Sequence, residues 1–190
     1  MTTKKLSPVK KIALIGIMAA TLECGKLAFA VLPNIEVISL LLALYGYVFG
    51  SLGALAALVF CSIEPLIWGF GPWVISYFLY WPTIPVLFHL LSLPGKRTDS
   101  EKTEEKGAKI CRLLLPVAAI FILTLWFGVL TSLVDVGLFS GSYDRFLWRF
   151  GIYYLRGIPF YITHLVSNTL IFLFAFEPLK KVFLKIKRSL

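Results

Sequence analysis

Six apolar stretches, separated by short polar breaks, constrain this chain more than any other feature of its sequence. They cover approximately residues 12–32, 35–50, 52–70, 73–93, 110–139 and 151–176. Because a helix needs about 20 apolar residues to cross a bilayer, the pattern predicts an all-α integral membrane protein with six transmembrane helices. We interpret residues 1–190 as a single membrane domain, since too few residues remain for a separate soluble catalytic domain.

The first stretch has a second interpretation, as a secretory signal, because Ala28-Phe29-Ala30 resembles a cleavage site. Signal sequences rarely carry an acid and a base just before the cut, as Glu23 and Lys26 would be here. We therefore interpret it as the first span. Within the fourth stretch, Pro82 and Pro85 predict a kink.

The charges are distributed unevenly along the chain. The net charge is +9, and 15 of the 19 Lys and Arg residues lie in the N-terminal tail, in residues 94–112 and in the C-terminal tail. With six spans, all three regions fall on one side, which the positive-inside rule makes cytoplasmic. Residues 94–109 are then a cytoplasmic loop and residues 180–188 a basic tail. The basic charge sets orientation, so we expect no nucleic-acid partner.

The charges outside these cytoplasmic regions lie in the opposite, outer half of the predicted spans. Glu23 and Lys26 are three residues apart on one helix and can pair with each other. Glu36 opens the second span, where it favours the positive end of a helix. Glu64 has no base nearby in sequence, which leaves two roles: a structural ion pair with Arg156 or His164, or a ligand contact.

Aromatic and polar side chains gather at the same level. Tyr77 and Trp81 share a helix face, as do His164 and Asn168, whose simplest role is a helix–helix hydrogen bond. Asp135 fits an interfacial position. Aromatic surfaces with a few polar groups are how small-molecule sites are built. The candidate substrate-binding residues are Glu36, Glu64, Trp68, Tyr77, Tyr80, Trp81, Asp135, Arg156, His164 and Asn168.

Several motifs of catalysis and transport are missing. The sequence has no GxxxxGK[ST] phosphate loop, no HExxH and no GxSxG. It also has no series of polar residues through the inner half of the spans. We therefore expect no enzyme activity, no metal and no catalytic cofactor. The chain is expected to bind a solute from outside without moving it alone. The alternatives are an autonomous secondary transporter or channel and an intramembrane enzyme.

The stretches that carry a family resemblance lie mainly between residues 10 and 85. They are Leu32-Pro33-Asn34-Ile35-Glu36-Val37-Ile38-Ser39-Leu40-Leu41, Phe49-Gly50, Glu64, Trp68-Gly69-Phe70-Gly71-Pro72-Trp73 and Tyr77-Phe78-Leu79-Tyr80-Trp81. With the six-span pattern, they resemble the substrate-binding (S) components of energy-coupling factor (ECF) vitamin transporters, and in particular a cobalamin-related group. The family's AxxxA pattern in the first helix has the approximate counterpart Gly16-x-x-x-Ala20.

The resemblance implies a function and a set of partners. S components bind a vitamin near the outer face of the bacterial cell membrane. They dock through their first helices on a membrane coupling protein that carries two ATPase subunits, which hydrolyse the ATP. For this chain, Gly16 and Ala20 would be the docking residues, and cobalamin or a precursor would be the first candidate ligand. The residues themselves leave two others open: a cationic aromatic such as thiamin or a pyridoxine relative, and an anion such as pantothenate held by Arg145, Arg149 and Arg156.

Overall fold

The computed structural model describes residues 6–93, 106–139 and 144–190, and these residues form helices and no strands. The first five helices are α1 (Pro8–Phe29), α2 (Ile38–Phe49), α3 (Ser51–Trp68), α4 (Trp73–Tyr80) and α5 (Thr83–Ser92). The others are α6 (Lys106–Val134) with a π-helical turn at Asp135–Phe139, α7 (Phe146–Ile171) with a π-helical turn at Phe172–Phe176, and α8 (Glu177–Ser189). The all-α prediction is confirmed for this part of the chain.

Within the described residues, five helical segments are long and apolar enough to cross a membrane. They are Pro8–Phe29, Ser51–Trp68, Trp73–Ser92, Leu113–Leu138 and Phe146–Ser189. The remaining apolar helix, α2, has 12 residues. At about 1.5 Å per residue it is roughly 18 Å long, well short of a hydrocarbon core of about 30 Å. The predicted stretch 35–50 is therefore longer than the helix that it contains.

Local sequence signals explain where the helices begin and end. α1 begins earlier than predicted, because the Ser7 side chain accepts a hydrogen bond from the Lys10 N–H and Pro8 occupies the first turn. The predicted kink of the fourth stretch is confirmed, since α4 ends just before Pro82 and α5 begins just after it. α2 and α3 join at Gly50, whose φ of +67° favours glycine.

Two predicted boundaries at the ends of the hydrophilic regions change. Of the predicted loop 94–109, residues 94–105 lie outside the described residues, and α6 already begins at Lys106. The residues predicted as a basic tail after the last span, 180–188, belong to the helix α8. Phe183 of α8 packs against Tyr45 and Phe49 of α2, so one face of this basic segment is anchored to the bundle.

Apolar packing fills the centre of the bundle, and α2 lies in the middle of it. It packs most closely on α5, and α6 packs on α7. The bulkiest fully buried side chains are aromatic: Tyr80, Phe60, Phe88, Phe172 and Phe176. Large apolar side chains such as Leu66, Phe70 and Leu147 face outward and are largely exposed, as expected for a surface in contact with lipid.

The two ends of the bundle differ. At one end, which we call the terminal end, Lys10 Nζ donates to the Leu190 carbonyl at 2.8 Å and Lys187 Nζ donates to the Val48 carbonyl at 2.5 Å. The start of α1 and the ends of α2 and α8 therefore meet there. The loop of residues 30–37, between α1 and α2, lies at the opposite end, which we call the loop end.

Candidate functional site

A cavity of about 220 Å³ opens at the loop end of the bundle. The last turn of α1 and the 30–37 loop form one side of it. Its other side chains come from four separate parts of the chain: Ile38 of α2, Tyr77 and Trp81 at the end of α4, Phe127 of α6 and His164 of α7. The indole N–H of Trp81 has no hydrogen-bond partner among the described residues, although this side chain is almost fully buried. The cavity thus combines aromatic surface with an unused donor.

Glu36 organises the loop side of this cavity. One carboxylate oxygen accepts a hydrogen bond from the Ser39 N–H at 2.8 Å, and the other lies 3.2 Å from His164 Nε2. The prediction that Glu36 favours a helix N-terminus is therefore confirmed. Burial tends to raise the pKa of the Glu36 carboxyl, but the hydrogen bond and charge of His164 and the hydrogen bonds from Ser39 outweigh burial and hold that pKa below its ordinary value.

Lys26 of α1 lies at the boundary between the cavity and α3. Its ammonium forms an ion pair with the fully buried Glu64 carboxylate. The same nitrogen lies 5.1 Å from the ring centre of Trp68, 5.9 Å from that of Trp73 and 5.5 Å from that of Tyr77. Lys26 thus forms its ion pair across two helices with Glu64, and its charge also attracts the neighbouring Glu23 carboxylate. The partner of Glu64 is neither Arg156 nor His164.

Two carboxylates beside Lys26 keep unused hydrogen-bond capacity. Both oxygens of Glu23 and the Oε1 atom of Glu64 are buried and have no hydrogen-bond partner in the described part of the chain. A carboxylate removed from water without a partner is costly, particularly at membrane depth. These buried carboxylate oxygens can therefore accept a further positive group or a proton.

Below the cavity, three helices share a polar contact. Asn168, one turn below His164, donates to Ser39 Oγ at 3.4 Å and to Thr124 Oγ1 at 3.2 Å. The predicted helix–helix hydrogen bonding of this stripe is confirmed. Tyr80 packs beside it, with its ring centre 4.7 Å from that of Phe127. Below this level, Phe88, Phe172 and Phe176 contact one another and close the bundle.

The structure brings eight of the ten predicted site residues into this region. Four of them line the cavity: Glu36, Tyr77, Trp81 and His164. Two contact Lys26, namely Glu64 and Trp68. The other two, Tyr80 and Asn168, lie below the cavity beside the polar contact of the three helices. Asp135 and Arg156 do not line it. Arg156 faces a separate outer depression of about 320 Å³, together with Arg149 and Trp148, and Asp135 begins the π-helical turn after α6.

Several residues that line the cavity are absent from the predicted residues, among them Lys26 and Phe127. Lys26 is a charge inside an apolar stretch, but its three-residue spacing from Glu23 predicts an ion pair with Glu23 and not a position in a binding site. Phe127 carries no sequence signal, because one phenylalanine in an apolar helix does not differ from its neighbours. The loop residue Asn34 adopts a φ of +58°, a conformation in which asparagine is enriched among non-glycine residues.

The predicted docking residues lie on the outside of α1. Gly16 and Ala20 are both exposed, and a Cβ atom built on Gly16 would meet nothing within 4 Å. These residues therefore take no part in packing the bundle itself. The small-residue face is open to another helix.

A scan against protein-family models and searches of curated proteins and of solved structures found no match to this chain. Among the described residues, no three His, Cys, Asp or Glu side chains converge as metal ligands would. The function must therefore be argued from the chemistry of the cavity and from its position in the bundle.

Proposed function

We propose that this chain is the substrate-binding component of an ECF-type importer. It captures a water-soluble vitamin or cofactor at the outer face of a bacterial cell membrane and does no chemistry on it. The observation that carries the proposal is the cavity at the loop end, where aromatic surface, the Glu36–His164 pair and the Lys26–Glu64 pair converge. Concave, mostly apolar sites with a few convergent polar groups are typical of small-molecule binding.

Below the cavity, the packing supports capture rather than independent transport. Past Asn168 the interior is filled by Phe88, Phe172 and Phe176, all nearly fully buried. A carrier or channel that works alone needs a polar route at this depth, since a charge at the centre of a bilayer costs about 2.5–3.5 kcal/mol on insertion scales. Release on the inner side then requires a larger movement driven by partner proteins.

In this proposal the terminal end faces the cytoplasm and the loop end faces outward. The contact between Lys10 and Leu190 brings the start of α1 and the end of α8 together. An even number of crossings also returns the chain to the side of the membrane on which it began. The short helix α2 would be the sixth crossing. The Lys and Arg residues of α8 and of the α1 start then lie on the cytoplasmic side, as the positive-inside rule requires.

The partners would be a membrane coupling protein, docked on the α1 face of Gly16 and Ala20, and two ATPase subunits. Both small residues are exposed and unused by the bundle. Close helix approach in a membrane depends on such small side chains. ATP would be hydrolysed by the partner subunits.

Cobalamin or a precursor remains the first ligand suggested by the sequence resemblance. A cavity of about 220 Å³ is smaller than the roughly 300–1,000 Å³ of pockets for drug-sized ligands, and cobalamin is larger than such ligands. Its binding would require the 30–37 loop to move outward. A compact vitamin with one or two rings fits the lining better, and a pantothenate-like anion would instead need the depression beside Arg149 and Arg156.

The decisive experiment is to purify the chain in detergent without partners and identify the co-purifying small molecules by mass spectrometry. Each candidate is then titrated into the stripped protein without ATP. We expect tight binding of one vitamin-class compound, weakened at least about tenfold by Tyr77→Ala, which removes a cavity wall. A matched control is Tyr153→Ala, since Tyr153 lines the separate outer depression. Full uptake into vesicles by the chain alone would contradict the proposal.

A further inference from the structure

The side chain of Lys26 occupies an aromatic cage in the ligand-free protein. Its ammonium lies within 6 Å of three ring centres, those of Trp68, Trp73 and Tyr77. Electron-rich ring faces attract cations at this distance, and cages of this kind bind quaternary ammonium groups. The walls come from α3 and α4, whereas the ammonium comes from α1. The cage is thus a cation site that the protein fills with its own side chain.

The charges around the cage do not balance. Glu23 and Glu64 are both beside it, and Lys26 is the cation paired with Glu64. Both oxygens of Glu23 and one of Glu64 are buried without a hydrogen-bond partner in the described residues. The next charged pair across the cavity, Glu36 with His164, is already mutually bonded. The cage region therefore has capacity for more positive charge than Lys26 supplies.

The cage is continuous with the cavity through two shared residues. Lys26 and Tyr77 belong to both, since they line the cavity and also form the contact within the cage. The Lys26 side chain remains 23% exposed, whereas Glu64 beneath it is fully buried. Because a lysine side chain turns about four flexible bonds, its ammonium can leave the cage without movement of a helix.

We propose that Lys26 is a placeholder for the positive group of the ligand. The site takes a compact cationic compound, such as a quaternary ammonium or a positively charged nitrogen heterocycle. When it binds, its cation enters the cage beside Glu64 and Glu23, and the Lys26 ammonium swings out. This inference rests on the proposed function and adds to it the charge class of the ligand.

A small probe tests this directly. Tetramethylammonium chloride is titrated into the purified full chain, with sodium chloride at equal ionic strength as the blank, and binding is followed by the fluorescence of the cage tryptophans. Replacing Lys26 by methionine keeps the length of the side chain and removes the competing charge. We expect the half-saturating probe concentration of Lys26→Met to fall at least about tenfold below that of the unmodified chain. The gain should be lost in the double variant Lys26→Met with Glu64→Gln.

Lys180→Met is a matched control. Lys180 also pairs with a carboxylate, that of Glu177, and lies over two rings, but at the terminal end of the bundle. This variant should bind the probe as the unmodified chain does. Equal or weaker binding by Lys26→Met would overturn the proposal.

A second measurement covers the case in which Lys26→Met does not fold. In the otherwise unmodified chain, Trp68→Leu removes one exposed wall of the cage and should weaken tetramethylammonium binding, and unchanged binding would contradict the proposal. The co-purified compound separates this inference from the proposed function. A neutral or anionic vitamin would overturn the placeholder role and leave the importer function standing, whereas the absence of any vitamin-class ligand would overturn the importer function.

Discussion

The Glu36 carboxylate ties the 30–37 loop to two helices at once. It accepts from the Ser39 N–H in the first turn of α2, and it lies 3.2 Å from His164 Nε2 of α7. A backbone donor in the first turn of a helix has no partner within that helix, so the carboxylate satisfies a group that would otherwise remain unbonded. Glu36 thereby fixes the wall of the cavity as well as the start of α2.

We therefore expect Glu36→Ala to destabilise the chain by about 1–3 kcal/mol, because it leaves a buried donor and His164 unpaired. The measurement is thermal unfolding in detergent, followed by circular dichroism. Glu177→Ala serves as the control. It removes a partly exposed pair with Lys180 on one helix, for which a loss below about 1 kcal/mol is expected. Equal losses in the two variants would contradict this role of Glu36.

The effect of Glu36 should also depend on pH. His164 and Ser39 hold the pKa of its carboxyl below the ordinary value, against the opposing effect of burial. A carboxyl with a lowered folded-state pKa stabilises the protein above its unfolded-state pKa, and this contribution is lost as the pH falls through the folded-state pKa. The stability gap between the unmodified chain and Glu36→Ala should therefore narrow in acid and be full at neutral pH.

The predictable part of the site is the part within single helices. The four-residue spacing of His164 and Asn168 indicates a shared face. In the structure Asn168 donates hydrogen bonds to two other helices, and the His164 ring contacts Phe127 of α6. Lys26 shows the limit of such spacing. Its neighbour Glu23 is three residues away, but its partner Glu64 is 38 positions away on another helix. One sequence contains no information on which helix packs beside α1, so this pair could not be predicted.

Close helix packing holds α2 inside the bundle. A Cβ atom built on Gly46 would lie 2.1 Å from the backbone oxygen of Pro85 in α5, a distance that cannot exist without movement of the backbone. On the neighbouring helix α3, a Cβ atom on Gly53 would lie 2.7 Å from the Gly46 nitrogen. The absence of a side chain at Gly46 thus allows α2 to approach α5, and its absence at Gly53 allows α3 to approach α2.

Gly46→Ala should consequently destabilise the protein by at least about 1–3 kcal/mol through overpacking, even though alanine favours a helix. Gly16→Ala is the matched control, since a Cβ atom on Gly16 meets nothing within 4 Å and the helix preference of alanine is unopposed there. Thermal unfolding of both variants tests the difference. A Gly46→Ala protein as stable as Gly16→Ala would show that the two helices do not approach so closely.

α8 shows why element boundaries were harder to predict than element types. Long apolar runs predict spans because about 20 apolar residues cross a bilayer, and each of the five described segments of this length overlaps a predicted stretch. A basic helix with one apolar face has no such run, so residues 180–188 were interpreted as a tail. What stabilises α8 is tertiary contact, with Phe183 against Tyr45 and Phe49 and Lys187 on the Val48 carbonyl.

In the whole molecule, the proposed ligand site and the proposed docking face lie in separate regions. The described buried charges and the cavity lie at the loop end, whereas Gly16 lies in the half of α1 nearer the terminal end and Ala20 lies close to the middle of that helix. A molecule that moves as one body can use both regions, because the docking face need not share residues with the ligand site. Binding and assembly should then be separable by mutation.

The variant Gly16→Leu tests this separation. The new leucine side chain would extend into open space, because a Cβ atom on Gly16 meets nothing within 4 Å. The isolated chain should therefore keep its stability and its ligand affinity. Assembly with the coupling protein and the ATPases should fall, because a bulky side chain prevents close helix approach. Co-purification of the partners from membranes, together with vitamin uptake by whole cells, measures the loss. Gly151→Leu is the control, since Gly151 also has open space around it but lies near the loop end on α7. Normal assembly by Gly16→Leu, or equal loss in both variants, would exclude this face of α1 as the docking surface.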